Sequence, residues 1–151
     1  MVSSNQVNLI YVNENTLRVN SSGFIFKNEY RLKLIELAKK HKSGSARICL
    51  HGSTLETTQN MIICLMPHKS FQGHFHPKGK KESYTILSGV LYVERYSASN
   101  ELISTEALTA SNTPYMHLGG EKHLPYTKEE ICLYQEVYHG TFIKNKDVIP
   151  F

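Results

Sequence analysis

The chain opens on a weak alternation of apolar and polar positions. Residues 1–27 are rich in Asn and Ser, and only "VNLIYV" and "GFIFK" have the density of β-formers expected of short strands, with turns at Asn13 to Asn15 and Ser21 to Gly23. The period then changes. In "EYRLKLIELAKKH" the apolar residues Leu32, Leu34, Ile35, Leu37 and Ala38 fall on one helical face. Asn28 is placed to cap this helix, and Lys39, Lys40 and His41 suit the negative end of its dipole. "KSGS", Lys42 to Ser45, ends it.

Everything after that reads as strand. "ARICLH", "NMIICLM", "SFQGHFH", "SYTIL", "VLYVERY", "LISTEAL" and "EICLYQEVY" are short runs of β-branched, aliphatic and aromatic residues. Turn signals separate them at Gly52-Ser53, Pro67, Pro77 and Gly79, Ser88-Gly89, Ser97 to Asn100, Ser111 to Pro114 and Gly119-Gly120. Many short strands at this spacing predict an all-β sandwich or barrel with one N-terminal helix. No solenoid-like repeat is present, and Lys144 to Phe151 reads as a closing tail.

Composition narrows this picture. The 151 residues suffice for one domain with a real core, and 40% hydrophobic against 20% charged residues describes a globular chain. No apolar run approaches the roughly 18 residues needed to cross a bilayer, and the N-terminus lacks the pattern of a signal peptide. The expectation is a cytoplasmic protein with no membrane partner. A net charge of +4 is compatible with an anionic small molecule, but no recognition helix or aromatic-basic run supports nucleic acid. Cys49, Cys64 and Cys132 each lie in an apolar stretch and form no Cys-x-x-Cys, which predicts buried, reduced thiols.

The chemistry concentrates in "GHFHPKGKKESYTILSG", Gly73 to Gly89. His74 and His76 stand two apart, so on a strand their imidazoles share a face. The turn "PKGK" then reverses the chain, and Glu82 begins the next strand in a position to return to the same place. Two imidazoles and a carboxylate with open positions suit one divalent ion: Fe, Mn, Zn or Ni. Of the 13 acidic residues only Asp147 is an aspartate, so a carboxylate ligand here is expected to be Glu. Histidines exposed on a strand are the alternative reading of His-x-His by itself.

The spacing resembles the first motif of the cupin superfamily, in which His-x-His is followed by Glu and then, six residues on, by Gly. Here five residues separate His76 from Glu82, one more than usual, and six separate Glu82 from Gly89. A second cupin motif supplies a third histidine, and "LGGEKH" fits its central part, with Gly120 three before His123; Leu118 stands in place of the usual Pro and Tyr126 in place of Asn. His117 is the rival. The chain is further similar to the WbuC family of cupin metalloproteins at Arg47, His51, Gln59, Met61, Glu136 and Gly140, with Thr141 where a proline is usual.

This resemblance implies a double-stranded β-helix, the cupin jelly-roll barrel, over residues 28–151, preceded by an N-terminal extension of short strands over 1–27. It implies one divalent metal held by His74, His76, Glu82 and His123. By family position Glu136 and Gln59 are candidates to satisfy the second nitrogen of a ligating histidine; the match also makes His51 and Glu136 catalytic candidates and Arg47 and Gln59 substrate contacts, the alternative for Arg47 and His51 being an ion pair and a hydrogen-bonded core histidine. Alternation on "ICLYQEVY" puts Cys132, Tyr134, Glu136 and Tyr138 on one face, adding Tyr134 to the catalytic candidates if that face is the inner one; the alternative is that Ile131, Leu133 and Val137 face the core. Tyr84 shares the face of Glu82, and Lys81 belongs to a lysine-rich turn that would attract phosphate or simply be solvated. Cupins commonly form homodimers. The functional expectation is metal-dependent chemistry on a small oxygen-rich ligand, a sugar or sugar nucleotide of surface-polysaccharide biosynthesis, by isomerisation, epimerisation or Fe-dependent oxygenation. A non-catalytic sugar-binding or assembly role is the alternative.

Overall fold

A computed structural model describes residues 9–151. Twelve strands form two sheets. The first has the order β1 (Leu9–Asn13), β2 (Thr16–Val19), β3 (Ser45–Cys49), β4 (Thr58–Leu65), β11 (Cys132–His139), β6 (Lys81–Ser88) and β9 (Tyr115–Leu118). The second runs β12 (Ile149–Pro150), β5 (His74–Phe75), β10 (Lys122–Tyr126), β7 (Leu91–Tyr96) and β8 (Leu102–Leu108). Two helices, α1 (Asn28–Lys40) and α2 (Lys144–Asp147), complete the described fold. The arrangement is the all-β jelly roll with a leading helix.

The near-continuous apolar run in β4 has a physical reason: both faces of that strand are covered. Met61, Ile63 and Leu65 point inward to a cluster with Tyr84, Ile86, Leu91, Val93, Leu108, Cys132 and Tyr134. Ile62 and Cys64 point outward, where Leu34 and Ala38 of α1 pack on Ala46, Ile48 and Leu133. The alternation on β11 is settled by this: Leu133 lies under the helix while Tyr134 and Tyr138 face the barrel interior, both almost fully buried. All three cysteines are buried and free, as expected. Burial pushes the Cys64 and Cys132 thiols up to about 12, so both stay protonated and inert.

The N-terminal strands are part of the main sheet. β2 pairs in parallel with β3, so α1 serves as the crossover that such a pair requires. Val7 and Asn8 of the expected first strand lie outside the described residues. "GFIFK" is not a strand; its Phe24 and Phe26 lie against the helix cluster. Lys27, not Asn28, is the N-cap, with its carbonyl accepting from Tyr30 and Arg31. Of "SFQGHFH" only His74 and Phe75 form strand, and the expected turns around Gly119 separate two strands, β9 and β10, that the pattern had not marked.

Two glycines fix how the barrel closes. Gly89, at φ 79°, turns β6 into β7, and a Cβ there would sit 2.2 Å from the Ile131 carbonyl oxygen. Gly119 lets the β9–β10 turn press on the metal-motif loop, since a Cβ would lie 1.9 Å from the Pro77 oxygen. The contact is held by Gly119 N–H to Lys80 O at 2.7 Å and Gly120 N–H to His76 O at 2.6 Å. Replacing Gly89 by Ala combines a disfavoured backbone region with a clash against main chain that cannot swing away. The Gly89→Ala protein should lose about 3 kcal/mol in urea unfolding; a loss under about 0.5 kcal/mol would show that the turn relaxes freely.

Candidate metal centre

His74 on β5, His76 just beyond it, Glu82 on β6 and His123 on β10 come together as one buried group, with one ligand atom from each within 4.8 Å of every other. The longer loop after His76 does not carry Glu82 out of reach: the turn closes by Lys80 N–H to Pro77 O at 3.2 Å, and Glu82 Oε2 lies 3.1 Å from His76 Nε2. His74 and His123 face each other across the β5–β10 pairing, their ring centroids 4.4 Å apart.

Each of these histidines is held from behind. The Nδ1 of His74 donates to Gln72 O at 2.7 Å, that of His76 to Asp147 O at 2.5 Å, and that of His123 to Glu121 O at 2.9 Å. In the neutral ring that bond fixes the tautomer that presents Nε2 to the cluster, as a metal ligand requires. His123 Nε2 is buried with no hydrogen-bonded partner, although it lies 3.3 Å from Glu82 Oε2. An orphaned, correctly presented imidazole nitrogen beside a buried carboxylate is what a divalent cation would satisfy. The donor set therefore fits one.

His117, the rival third histidine, is in the site as well. It stands opposite Glu82 in the β6–β9 pairing and brings Nε2 to 2.9 Å of Glu82 Oε2, off the line of a hydrogen bond. Its ring packs on His123 with centroids 3.9 Å apart. It stands outside the four-atom group of potential ligands, to which His123 belongs.

The electrostatics follow from burial and crowding. Burial alone would raise the Glu82 carboxyl, but His117, His123 and His76 outweigh it and hold it well below the usual range. Burial and the nearby His123 lower His74 to about 4. Burial also lowers His117, with Glu82 opposing. At His76 burial is overcome by Glu82 and by the Asp147 carbonyl, and its pKa is raised above 6.5.

The cluster opens into a cavity of about 560 Å³. Arg47, His51, Gln59, Tyr84, Glu136 and Tyr138 all line it with His74, His76 and Glu82. Tyr84 donates its hydroxyl to Glu82 Oε2 at 2.7 Å. Glu136 faces Tyr84 across the β6–β11 pairing; burial and the charge of Glu82 raise its pKa well above normal, with Arg47 opposing. His51 is bound at the wall, its Nδ1 3.0 Å from both the N and O of Asn60. Gln59 spends its amide on the loop before it, donating to Ser53, Thr54 and Glu56 carbonyls, the last at 2.8 Å.

Two candidates are not brought to the cavity. Lys81 is exposed at the start of β6 and is absent from the lining. Tyr134 is buried in the apolar core, its hydroxyl unpartnered and its ring edge-on to Tyr84 at 5.5 Å. Alternation gives the face of a strand but not the depth along it, and it is Tyr138, four residues further along β11, that reaches the cavity. Sequence reasoning also passed over Arg18, which lines the cavity from β2. It further missed Asp147, whose carboxylate accepts from Tyr138 Oη at 2.5 Å and Ile143 N–H at 2.6 Å while its carbonyl holds His76. No local pattern marks either residue.

No protein-family model and no curated protein sequence matches the chain. Solved structures do match in fold. Capsular polysaccharide assembling protein CapF from Staphylococcus aureus superposes with TM-score 0.56 at 14% identity, over 66% of this chain and 29% of that one. CapF with the inhibitor 3-isopropenyl-tropolone gives TM-score 0.63 at 12% identity, over 74% and 33%. Oxalate oxidase in complex with glycolate gives 0.56 at 16% identity, over 73% of this chain and 56% of its own. The chain thus spans about half or less of the chains it resembles. These likenesses, with the topology above, establish the cupin β-barrel as the fold.

Purified protein should carry close to one equivalent of divalent metal by elemental mass spectrometry, and His76→Ala and His123→Ala should lose it. His117→Gln should keep the metal with affinity weakened about 10-fold, as for groups that support ligands without binding. Retention in His123→Ala with loss in His117→Gln would reverse the two assignments. Affinity should fall as pH falls, first through the raised pKa of His76, since the ion and the proton compete for the same nitrogen. His74, at about 4, contributes to that fall only at much lower pH.

Proposed function

We propose that this protein is a metal-dependent enzyme acting on a small oxygen-rich molecule, a sugar or sugar nucleotide of surface-polysaccharide biosynthesis, by isomerisation or epimerisation. The observation that carries the reading is the three-histidine, one-glutamate cluster opening into a cavity that also holds an ionisable carboxyl, Glu136. A divalent ion held there would polarise a substrate carbonyl or hydroxyl and acidify the adjacent C–H. Glu136 stands beside that position, anchored on β11 between β4 and β6, and serves as the proton carrier. It takes the proton from one carbon and returns it to the neighbouring carbon, or to the other face of the same carbon, so no oxidant or reductant is consumed. Tyr138, fixed through its hydroxyl to Asp147, is a wall and not a proton carrier.

The fold likeness to a capsular polysaccharide assembling protein supports the substrate class. So does the similarity to the WbuC family at Arg47, His51, Gln59, Met61, Glu136 and Gly140. The likeness to oxalate oxidase favours, as a second reading, oxidative chemistry by the same ligands on the same class of molecule.

Metal-loaded protein incubated with nucleotide sugars in deuterated water should place solvent deuterium on a sugar carbon, read by NMR. Glu136→Gln should slow that exchange about 100-fold or more with metal content unchanged. Oxygen uptake without exchange would establish the oxidative reading. A ligand-induced rise in melting temperature with neither event would leave a sugar-binding or assembly protein.

A further inference from the structure

We propose that the cavity has a second pole, formed by Arg18 and Arg47, which holds a phosphate group of the substrate. The inference rests on reading the cavity as the substrate site and narrows that substrate to a phosphorylated one.

β2 and β3 run side by side, with Thr16 opposite Arg47 and Arg18 opposite Cys49. Along β3, Ala46 and Ile48 pack under the helix, so Arg47 and Cys49 face the barrel. Along β2, Leu17 packs under the helix, so Thr16 and Arg18 face the barrel too. Two guanidinium groups from adjacent strands therefore enter one cavity from the same wall. Neither has a carboxylate partner within 4.0 Å among the described residues. Residues 1–8 contain no Asp or Glu that would supply one. The Nε of Arg18 is buried with no hydrogen-bond partner among the described residues, and the polar contact of Arg47 is a weak one, Nη1 to Met61 Sδ at 3.9 Å. Withdrawing such donors from water without a partner is costly, and an anion removes the cost.

The forked donors of two arginines match the several terminal oxygens and double charge of a phosphate. Lys144 lines the same cavity from an exposed position and adds positive charge at its edge. The strand order places the two poles apart. β3 and β6 are separated by β4 and β11, which at strand spacing is about 14 Å between backbones. Both strands belong to one curved sheet, so their inward side chains converge across that separation. A hexose bridging it would offer its oxygens to the cluster and its phosphate to the arginines. Arg18 comes from the N-terminal hairpin, so that segment takes part in recognition.

Binding of glucose 1-phosphate, glucuronate and glucose to the metal-loaded protein would be measured by calorimetry, with metal content determined on each sample. Glucose 1-phosphate should bind at least 10-fold more tightly than glucose, and Arg18→Gln and Arg47→Gln should each erase that advantage while metal content stays constant. Arg18→Lys should recover part of it, and Lys40→Gln, on the outer helix, should change nothing. Circular dichroism melts would separate loss of binding from loss of fold; if a glutamine variant unfolds, the Arg18→Lys result decides. Equal binding of glucose and glucose 1-phosphate, or a phosphate advantage indifferent to both arginines, would overturn the proposal. Arginine-dependent binding of glucuronate alone would overturn phosphate in favour of a carboxylate. Phosphate binding that survives in protein shown to take up no metal would leave the arginine pole standing and remove the metalloenzyme reading.

Discussion

The carboxylate of Glu82 is the constraint from which the interior is organised. It is 3% exposed, and an ionised carboxylate at that depth is unfavourable unless positive or hydrogen-bonding groups surround it. The surroundings are supplied by three strands and the segment after β5: His76 beyond β5, Tyr84 on β6 itself, His117 on β9 and His123 on β10. None of these imidazoles is free to turn away. Two of them, with His74, are pinned through Nδ1 to backbone carbonyls, and the buried His117 ring is packed against His123. A cation at this point would complete a compensation that the protein alone makes only in part, since His123 Nε2 and both nitrogens of His117 remain without hydrogen bonds.

The same constraint explains why the last residues of the chain matter to the first histidines. β12 pairs with β5, placing Ile149 opposite Phe75 and Pro150 opposite His74. That short strand brings the Asp147 carbonyl to His76, and the Asp147 carboxylate to Tyr138 on the opposite sheet. Lys80 lies 3.5 Å from the same carboxylate and donates to the Thr141 carbonyl at 2.9 Å. Tyr138, the Ile143 N–H and Lys80 outweigh burial and keep Asp147 below the usual carboxylate range. This clasp is therefore fully formed at neutral pH and weakens as acid approaches the lowered pKa.

Much of this was legible in the sequence because it rests on periods. Alternation and turn residues marked β4, β6, β7, β8 and β11, and His-x-His with a following Glu and Gly marked the cluster. What was not legible rests on register between distant strands. β9 and β10 are short, and β10 contains Pro125, so neither carries a strong strand signal. Whether His117 or His123 ligates depends on which lies opposite Glu82 in the same sheet and which lies across the barrel from it, a matter of topology. The last residue of the tail, Phe151, packs near Gly73 only because β12 adds to β5. Arg18 belongs to a hairpin that looks polar and irregular in sequence, and it enters the cavity only because α1 returns the chain to set β3 parallel to β2.

β11 shows how one strand divides the work by depth. Its inward residues Tyr134, Glu136 and Tyr138 pair in turn with Ile86, Tyr84 and Glu82 on one side, and with Ile63, Met61 and Gln59 on the other. At the Tyr134 level every neighbour is apolar, and the strand contributes core. At the Tyr138 level the neighbours are polar and fixed, and the strand contributes a rigid wall to the histidine cluster. Between them Glu136 meets a thioether on one side and a tyrosine on the other, and burial with the charge of Glu82 raises its pKa. A carboxyl one level deeper would be sealed from the cavity, and one level shallower would fall among the clasp residues at the cluster. The alternation that builds the barrel thus also sets Glu136 between the apolar core and the histidine cluster.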